Sequence, residues 1–378
     1  MTKLFRSFAA VAAFTAAFSA FAQADYVPGR DPDWKTASPI AAGLDERLLA
    51  DAVEFAKSNE TEWPRDFSLQ RKIFGKPLGP VPGNRANTNG VILRHGYIVA
   101  QWGDVRAVDP VYSVAKSYLS TVTGLAASQG LINLNDPVAK SATDGYDTPH
   151  NAKVTWEMHL HQTSEWEGTM WGKSHDFIGE TEFGQGERKP REFKEPGAYW
   201  EYNDVRINRL ALSLAQIYGA AVPAVLNEKI MQPIGTSSTW HYYGYANSKT
   251  AVAGKTIESV SGGTRWGGGL WICTLDMARY GLLMSRYGRW GDQQLLPASW
   301  VKDATTPGPL GPDYGYLWWL NTTGKLYPDA PRTAFAARGA GDNTIVVDPQ
   351  HDIVVVWRWH RGSAMNEFLK RVIAAVKS

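Results

Sequence analysis

Between residues 44 and 58 apolar positions recur at helical spacing, with Asp45 and Glu46 early and Lys57 late, so a helix with charges matched to its dipole is predicted there. Two short β-type runs follow at 91–94 and 97–102, and His95-Gly96 between them predicts a hairpin turn. Beyond Ser113, the residues Tyr118, Leu119, Val122, Leu125 and Ala126 return at helical intervals until Gly130 stops the pattern. A further helix is predicted over 206–218. Residues 343–347 and 352–359 read as paired strands around Pro349-Gln350, and 364–376 as a final amphipathic helix. Strands at both ends with helices between them predict one sheet built from distant segments plus an inserted helical lobe at roughly 131–235. The expected class is α/β (α+β).

The first residues follow a different logic. Lys3 and Arg6 precede an Ala/Phe-rich apolar run over 8–21, and Ala20-Phe21-Ala22 forms a small-x-small cleavage site. This predicts a signal peptide over 1–22, a mature domain over 23–378, and export to the periplasm or beyond. The run is too short and Ala-rich to span a bilayer comfortably, so no stable membrane anchor is expected after cleavage. A chain of 378 residues can bury a large core. Its formal charge of +2, without long runs of one sign, gives no basic surface strong enough to imply nucleic acid, and no nucleic-acid partner is expected. Cys273 is the only cysteine, so no intrachain disulfide can form, and its apolar surroundings predict a buried, inert thiol.

Chemistry enters at Ser113-Val114-Ala115-Lys116. If Ser113 opens the helix, its hydroxyl and the Lys116 amine share one face at i and i+3, a known arrangement for an activated serine. Spacing alone is weak, because Ser299-Trp300-Val301-Lys302 repeats it and reads as the capped start of an ordinary surface helix. Metal chemistry lacks a pattern. His159 and His161 stand at i and i+2, which a helix aims at different faces, and no His-Glu-x-x-His or Cys-rich set exists. Neither a metal nor a cofactor is expected.

Around Ser113 the chain resembles the serine beta-lactamase-like hydrolases: class C beta-lactamases, DD-peptidases, and related esterases and 6-aminohexanoate-dimer hydrolases. Five segments match in order. They are Tyr112-Ser113-Val114-Ala115-Lys116-Ser117 with its helix and the following Gly130-to-Val138 stretch; Leu160-His161-Gln162-Thr163-Ser164; Pro196-Gly197 leading to Tyr202-Asn203-Asp204; Gly267-Gly268-Gly269-Leu270-Trp271-Ile272 with Asp276-Met277-Ala278-Arg279-Tyr280-Gly281; and Arg338-Gly339-Ala340-Gly341-Asp342 running into Val346-Val347-Asp348-Pro349. The resemblance implies an antiparallel sheet flanked by helices, an all-helical lobe, and an active site in the cleft between them. The alternative α/β-hydrolase fold lacks its Gly-x-Ser-x-Gly elbow here.

By that resemblance Ser113 is the nucleophile, and Lys116 and Tyr202 form the proton-transfer pair. The backbone N–H groups of Ser113 and Ala340 form the oxyanion hole, with Gly339 letting the strand approach substrate. An exposed lysine is too protonated to act as a base, so Lys116 is expected to be buried beside a neighbouring cation. Two departures narrow the substrate. Tyr-x-Asn becomes Tyr202-Asn203-Asp204, and Lys-Thr-Gly becomes Ala337-Arg338-Gly339. An ionised Asp204 can only accept hydrogen bonds, and strand alternation puts Arg338 on the face opposite Ala337 and Gly339. Asp204, Arg338 and Gly339 are candidate substrate contacts, as are Trp166, Trp171, Trp266, Trp318 and Trp319 from a chain with 16 Trp and 16 Tyr. The expected partner is a small ester or non-lactam amide. A DD-peptidase or D-amino-acid amidase acting on cell-wall peptides, and a non-catalytic peptidoglycan- or ligand-binding module, are the alternative readings.

Overall fold

The computed structural model describes residues 26–67, 79–142, 144–175, 191–244, 248–258 and 269–377. The expected signal segment over 1–22 lies outside the described residues.

Helix α1, Glu46–Lys57, starts where the sequence predicts because the Asp45 carboxylate accepts the Leu48 N–H at 3.0 Å. Strands β1, Asn89–Arg94, and β2, Tyr97–Trp102, pair antiparallel. His95 (φ 53°) and Gly96 (φ 83°) both take the positive φ that a two-residue hairpin turn requires. Helix α2, Ala115–Ser128, and helix α3, Asp204–Tyr218, follow, then α4, Thr274–Ser285. The chain ends in β3, Trp319–Leu320, β4, Phe335–Gly339, β5, Asn343–Asp348, β6, Ile353–Arg358, and α5, Met365–Ala374.

These strands form one antiparallel sheet in the order β3-β4-β5-β6-β1-β2, so the two ends of the chain meet where β6 pairs with β1. The strand period of two sorts their side chains into separate cores. Val91, Leu93, Ala337, Ile345, Val347, Val354 and Val356 face the core containing α2 and α4. Ile92, Ala336, Val346, Val355 and Trp357 face the core built with α1 and α5, which contains Leu49, Phe368 and Val372. β5 and β6 are therefore buried on both faces and read as near-continuous apolar runs. Helix α4 lies close on the sheet because Gly281 has no side chain. A Cβ there would come within 2.7 Å of Val354.

Between residues 131 and 235 the described elements are mainly helical, with one short ribbon of Thr169–Met170 paired to Lys173–Ser174. The fold is α/β, with helices on both faces of an antiparallel sheet. Cys273 is buried, and burial pushes its thiol up to about 12.

Candidate active site

Ser113 does not itself begin an α-helix. Asp109–Pro110 pairs with Gly269–Ile272, and the chain then turns through Tyr112 at φ 49° into a 3-10 turn, Tyr112–Val114. Only at Ala115 does α2 begin. A bulky residue at positive φ is unusual, and Tyr112 is held there by burial among rings, edge-on to Trp359 at 6.3 Å and tilted against Trp63 at 6.1 Å. The turn delivers Ser113, half-buried, to the position from which its Oγ meets Lys116 Nζ at 3.0 Å.

Lys116 is 1% exposed. Its neighbouring charge is not the expected cation but the Asp204 carboxylate, whose Oδ1 accepts from Nζ at 2.6 Å. Asp204 is the first residue of α3, capped by Asn203, whose side chain accepts the Arg206 N–H at 2.9 Å. A carboxylate in the first helical turn is favoured by the helix dipole, and Lys116 compensates it in a largely dry setting. The Nζ also lies 4.8 Å from the centroid of the Tyr202 ring. Tyr202 stacks on Trp319 at 5.5 Å and meets Tyr314 edge-on at 6.2 Å, while Tyr314 packs against Trp200 at 5.7 Å. Burial raises the Tyr314 phenol well above its ordinary value, with Tyr202 adding to the effect, so Tyr314 stays neutral.

Sequence reasoning did not single out Trp200, while Asn203 and Tyr314 lay in segments it expected near the cleft without an assigned task. It flagged the Leu160-to-Ser164 segment without assigning its task. Gln162 Oε1 accepts the Asn203 N–H at 3.0 Å, and its backbone carbonyl accepts the Glu201 N–H at 2.9 Å, so this segment positions the start of α3 and with it Tyr202 and Asp204. Behind it lies an ion-pair cluster. Glu165, with a fully buried side chain, binds Arg191 at 2.5 Å and Arg206 at 2.8 Å, and Glu201 pairs with both arginines at 3.1 Å. Burial alone would raise the Glu165 carboxyl, but the Arg191 hydrogen bonds, the Lys194 N–H and Arg206 hold it below its ordinary 4.5. Glu165→Gln is expected to destabilise the protein at neutral pH, measured by urea unfolding, by less than the ~3–5 kcal/mol of a fully stranded buried charge, since it leaves two guanidinium groups sharing the single Glu201 carboxylate. A lowered carboxyl contributes stability above its unfolded value and loses it as pH falls through the folded one, so the gap to the native protein should close on acidification.

Residues 89–376 match the family model described as Beta-lactamase. The chain belongs to the Beta-lactamase family. Among solved structures it is similar to a protein from Bacillus anthracis assigned as a 6-aminohexanoate-dimer hydrolase, at 16% identity and TM-score 0.57, covering 93% of this chain and 98% of that one. It is also similar to EstCE1, described as a hydrolase with promiscuous acyltransferase activity, at 15% identity and TM-score 0.58, covering 90% and 100%. An octameric penicillin-binding protein homologue from Pyrococcus abyssi has 16% identity and TM-score 0.58, covering 88% and 77%. An uncharacterized protein of Alkalihalophilus pseudofirmus is 22% identical over 267 residues, 65% of this chain and 71% of the relative. The chain is thus a serine hydrolase of the Beta-lactamase family, and the likeness to solved structures establishes the fold.

Within this Beta-lactamase fold the predicted residues divide. Ser113, Lys116, Tyr202, Asp204 and Trp319 come together, as do Gly339 and the Val111–Ser113 backbone: a Cβ on Gly339 would sit 2.0 Å from the Val111 carbonyl and 3.2 Å from Ser113 N. Asp204 was expected to face substrate through its carboxylate, yet one of its oxygens is committed to Lys116. Arg338 lies with its guanidinium 5.5 Å from the Trp319 ring centroid, whereas Ala337 is buried in the α2/α4 core, so the predicted alternation holds. Trp166 and Trp318 are corrections. Both are core residues, Trp166 donating its indole N–H to Gly145 at 2.7 Å and Trp318 packing on Tyr280 and Phe335, with no face left for a substrate. Trp171 is half-buried at the tip of the 169–174 ribbon, and Trp266 lies outside the described residues.

Ser299, in the second Ser-x-x-Lys copy, is exposed on the short helix Ala298–Ala304. That helix has Pro297 at its cap position and no side-chain cap, a correction to the capped start expected there. His159 and His161 serve packing. His159 bonds the Tyr146 hydroxyl at 2.8 Å and burial lowers it to about 3, while the His161 ring rests 4.7 Å from Tyr316.

Proposed function

We propose that this protein is an exported serine hydrolase that cleaves an ester or small non-lactam amide through an acyl-enzyme on Ser113, with Lys116 and Tyr202 as the proton-transfer pair. The observation that carries this reading is the 3.0 Å contact between a half-buried serine hydroxyl and a lysine amine that is itself shielded from water. Export rests on residues 1–22 as a cleavable signal.

In this reading Ser113 Oγ attacks the substrate carbonyl as its proton passes toward Lys116. The oxyanion is received by the N–H groups of Ser113 and Ala340, a role favoured by the close approach of Gly339 to the Val111–Ser113 backbone. Tyr202, whose ring centroid lies 4.8 Å from Lys116 Nζ, returns a proton to the departing alcohol or amine. Water then repeats the sequence on the acyl-enzyme. Trp319, Tyr202 and Trp200, backed by the buried Tyr314, supply flat apolar walls suited to an uncharged acyl or alcohol group.

A beta-lactam fits poorly. Ala337 stands where the resemblance places a lysine for the ring-side carboxylate, and Asp204, which when ionised can only accept, stands where it places an asparagine donor for the side-chain amide. The loss of two charge-assisted hydrogen bonds, at roughly 1.5–3 kcal/mol each, would lower kcat/KM by on the order of 10²–10⁴. The test is a substrate panel of p-nitrophenyl esters, p-nitroanilides, 6-aminohexanoate oligomers and nitrocefin. Nitrocefin should be turned over at least ~10²-fold less efficiently than the best short-chain ester. Equal efficiency would overturn the substrate class.

A further inference from the structure

Lys116 has a second acceptor beyond the serine, and the chemistry of that acceptor extends the mechanism. We infer that Asp204 is the terminal acceptor of the Ser113 proton, with Lys116 passing the proton on rather than keeping it; this rests on Ser113 being the acylated residue. Three observations carry it. Lys116 Nζ is in hydrogen-bond range of both Ser113 Oγ, at 3.0 Å, and Asp204 Oδ1, at 2.6 Å. The lysine is 1% exposed, so water cannot readily take its proton. Both partners sit on the first turns of helices, α2 and α3, which hold the row Ser113–Lys116–Asp204 in place.

A neutral amine beside an ionised Asp204 would leave a shielded anion without compensation, so the resting pair is ammonium and carboxylate. An ammonium has no lone pair with which to accept the serine proton, so it must first release one. A Lys116 N–H bond breaks as an O–H bond forms on Asp204 Oδ1, and the neutral amine turns its freed lone pair toward Ser113. As Ser113 Oγ then bonds to the substrate carbonyl carbon, the Oγ–H bond breaks and a new N–H bond forms on Lys116. The carbonyl π pair moves onto the substrate oxygen. Lys116 begins and ends this step as ammonium, and negative charge passes from Asp204 to the oxyanion. On collapse, the carbonyl re-forms, the bond to the leaving group breaks, and Tyr202 gives its phenolic proton to that group. The Asp204 proton returns through Lys116 to restore the phenol. A water molecule in place of the leaving group completes deacylation by the same transfers.

A merely structural ion pair makes a different prediction from a proton acceptor, and Asp204→Asn separates them. The amide oxygen can still accept from Lys116 but cannot take up a proton at neutral pH. The measurement is the rate of Ser113 phosphonylation by a p-nitrophenyl phosphonate as a function of pH, with thermal melting recorded in parallel. Asp204→Asn should melt below the native temperature, because it leaves the Lys116 ammonium uncompensated. At neutral pH it should react ~10²-fold or more slowly than native, and its rate should rise with hydroxide concentration, since solvent must then take the proton that Asp204 took. Asp204→Glu should recover at least tenfold over Asp204→Asn at neutral pH. An Asp204→Asn rate within threefold of native, or no recovery by a folded Asp204→Glu, would overturn the relay. Adducts mapping elsewhere than Ser113 in the native protein would instead remove the acyl-enzyme reading on which the relay rests.

Discussion

Ser113→Ala is expected to lower ester hydrolysis by three orders of magnitude or more while leaving the fold intact. The nucleophile makes and breaks the covalent bond, so its removal forfeits the whole acyl-enzyme route and leaves only positioning and oxyanion stabilisation. The alanine fits, because Ser113 is half-buried and its side chain is not part of either core. Intact-mass measurement after a fluorophosphonate probe should show one adduct on the native chain, mapping to Ser113, and none on Ser113→Ala. Ser299→Ala is the matched control. Ser299 is exposed, and such a substitution usually changes stability by less than ~0.5 kcal/mol, so activity should stay within about twofold. Undiminished turnover by Ser113→Ala, or labelling at Ser299, would end the assignment.

Lys116→Ala and Tyr202→Phe should each cost ~10²–10⁴ in kcat, and the double variant should be scarcely worse than the poorer single one. Residues that move protons as one unit are lost together: once either is gone, the other has little left to do. Their contact, Nζ to ring centroid at 4.8 Å, makes coupling physically direct. Lys116→Ala also strands the Asp204 carboxylate, so part of its effect should appear as lowered melting temperature, whereas Tyr202→Phe keeps the stack on Trp319 and should melt near native. Losses that multiply across the pair would show that the two act independently.

Much of the site was readable along the chain because local rules govern it. The α1 cap at Asp45, the 95–96 turn and the i, i+3 placement of Ser113 and Lys116 depend on neighbours a few residues away. Strand periodicity similarly placed Arg338 and Ala337 on opposite faces. The tryptophans show where such reading stops. Trp318 and Trp319 are adjacent, yet one is buried against Tyr280 and Phe335 and the other stacks on Tyr202, because Trp318 precedes the edge strand β3 and packs inward while Trp319 opens that strand beside the site. No composition signal distinguishes them.

The sequence by itself therefore determined the family and the antiparallel sheet with its helices, and it supplied the proposed serine, lysine and tyrosine, since these follow from periodicity, turn chemistry and an ordered set of short motifs. Only the tertiary structure decided the electrostatics. Lys116 and Asp204 are 88 residues apart, and whether a buried lysine meets a cation or a carboxylate depends on how α3 docks beside α2. That docking is set by Gln162, Asn203 and the Glu165–Arg206 pair, contacts between segments that no local pattern links. A charge acts through space across a few ångströms of low-dielectric interior, so its partner is known only when the chain has folded.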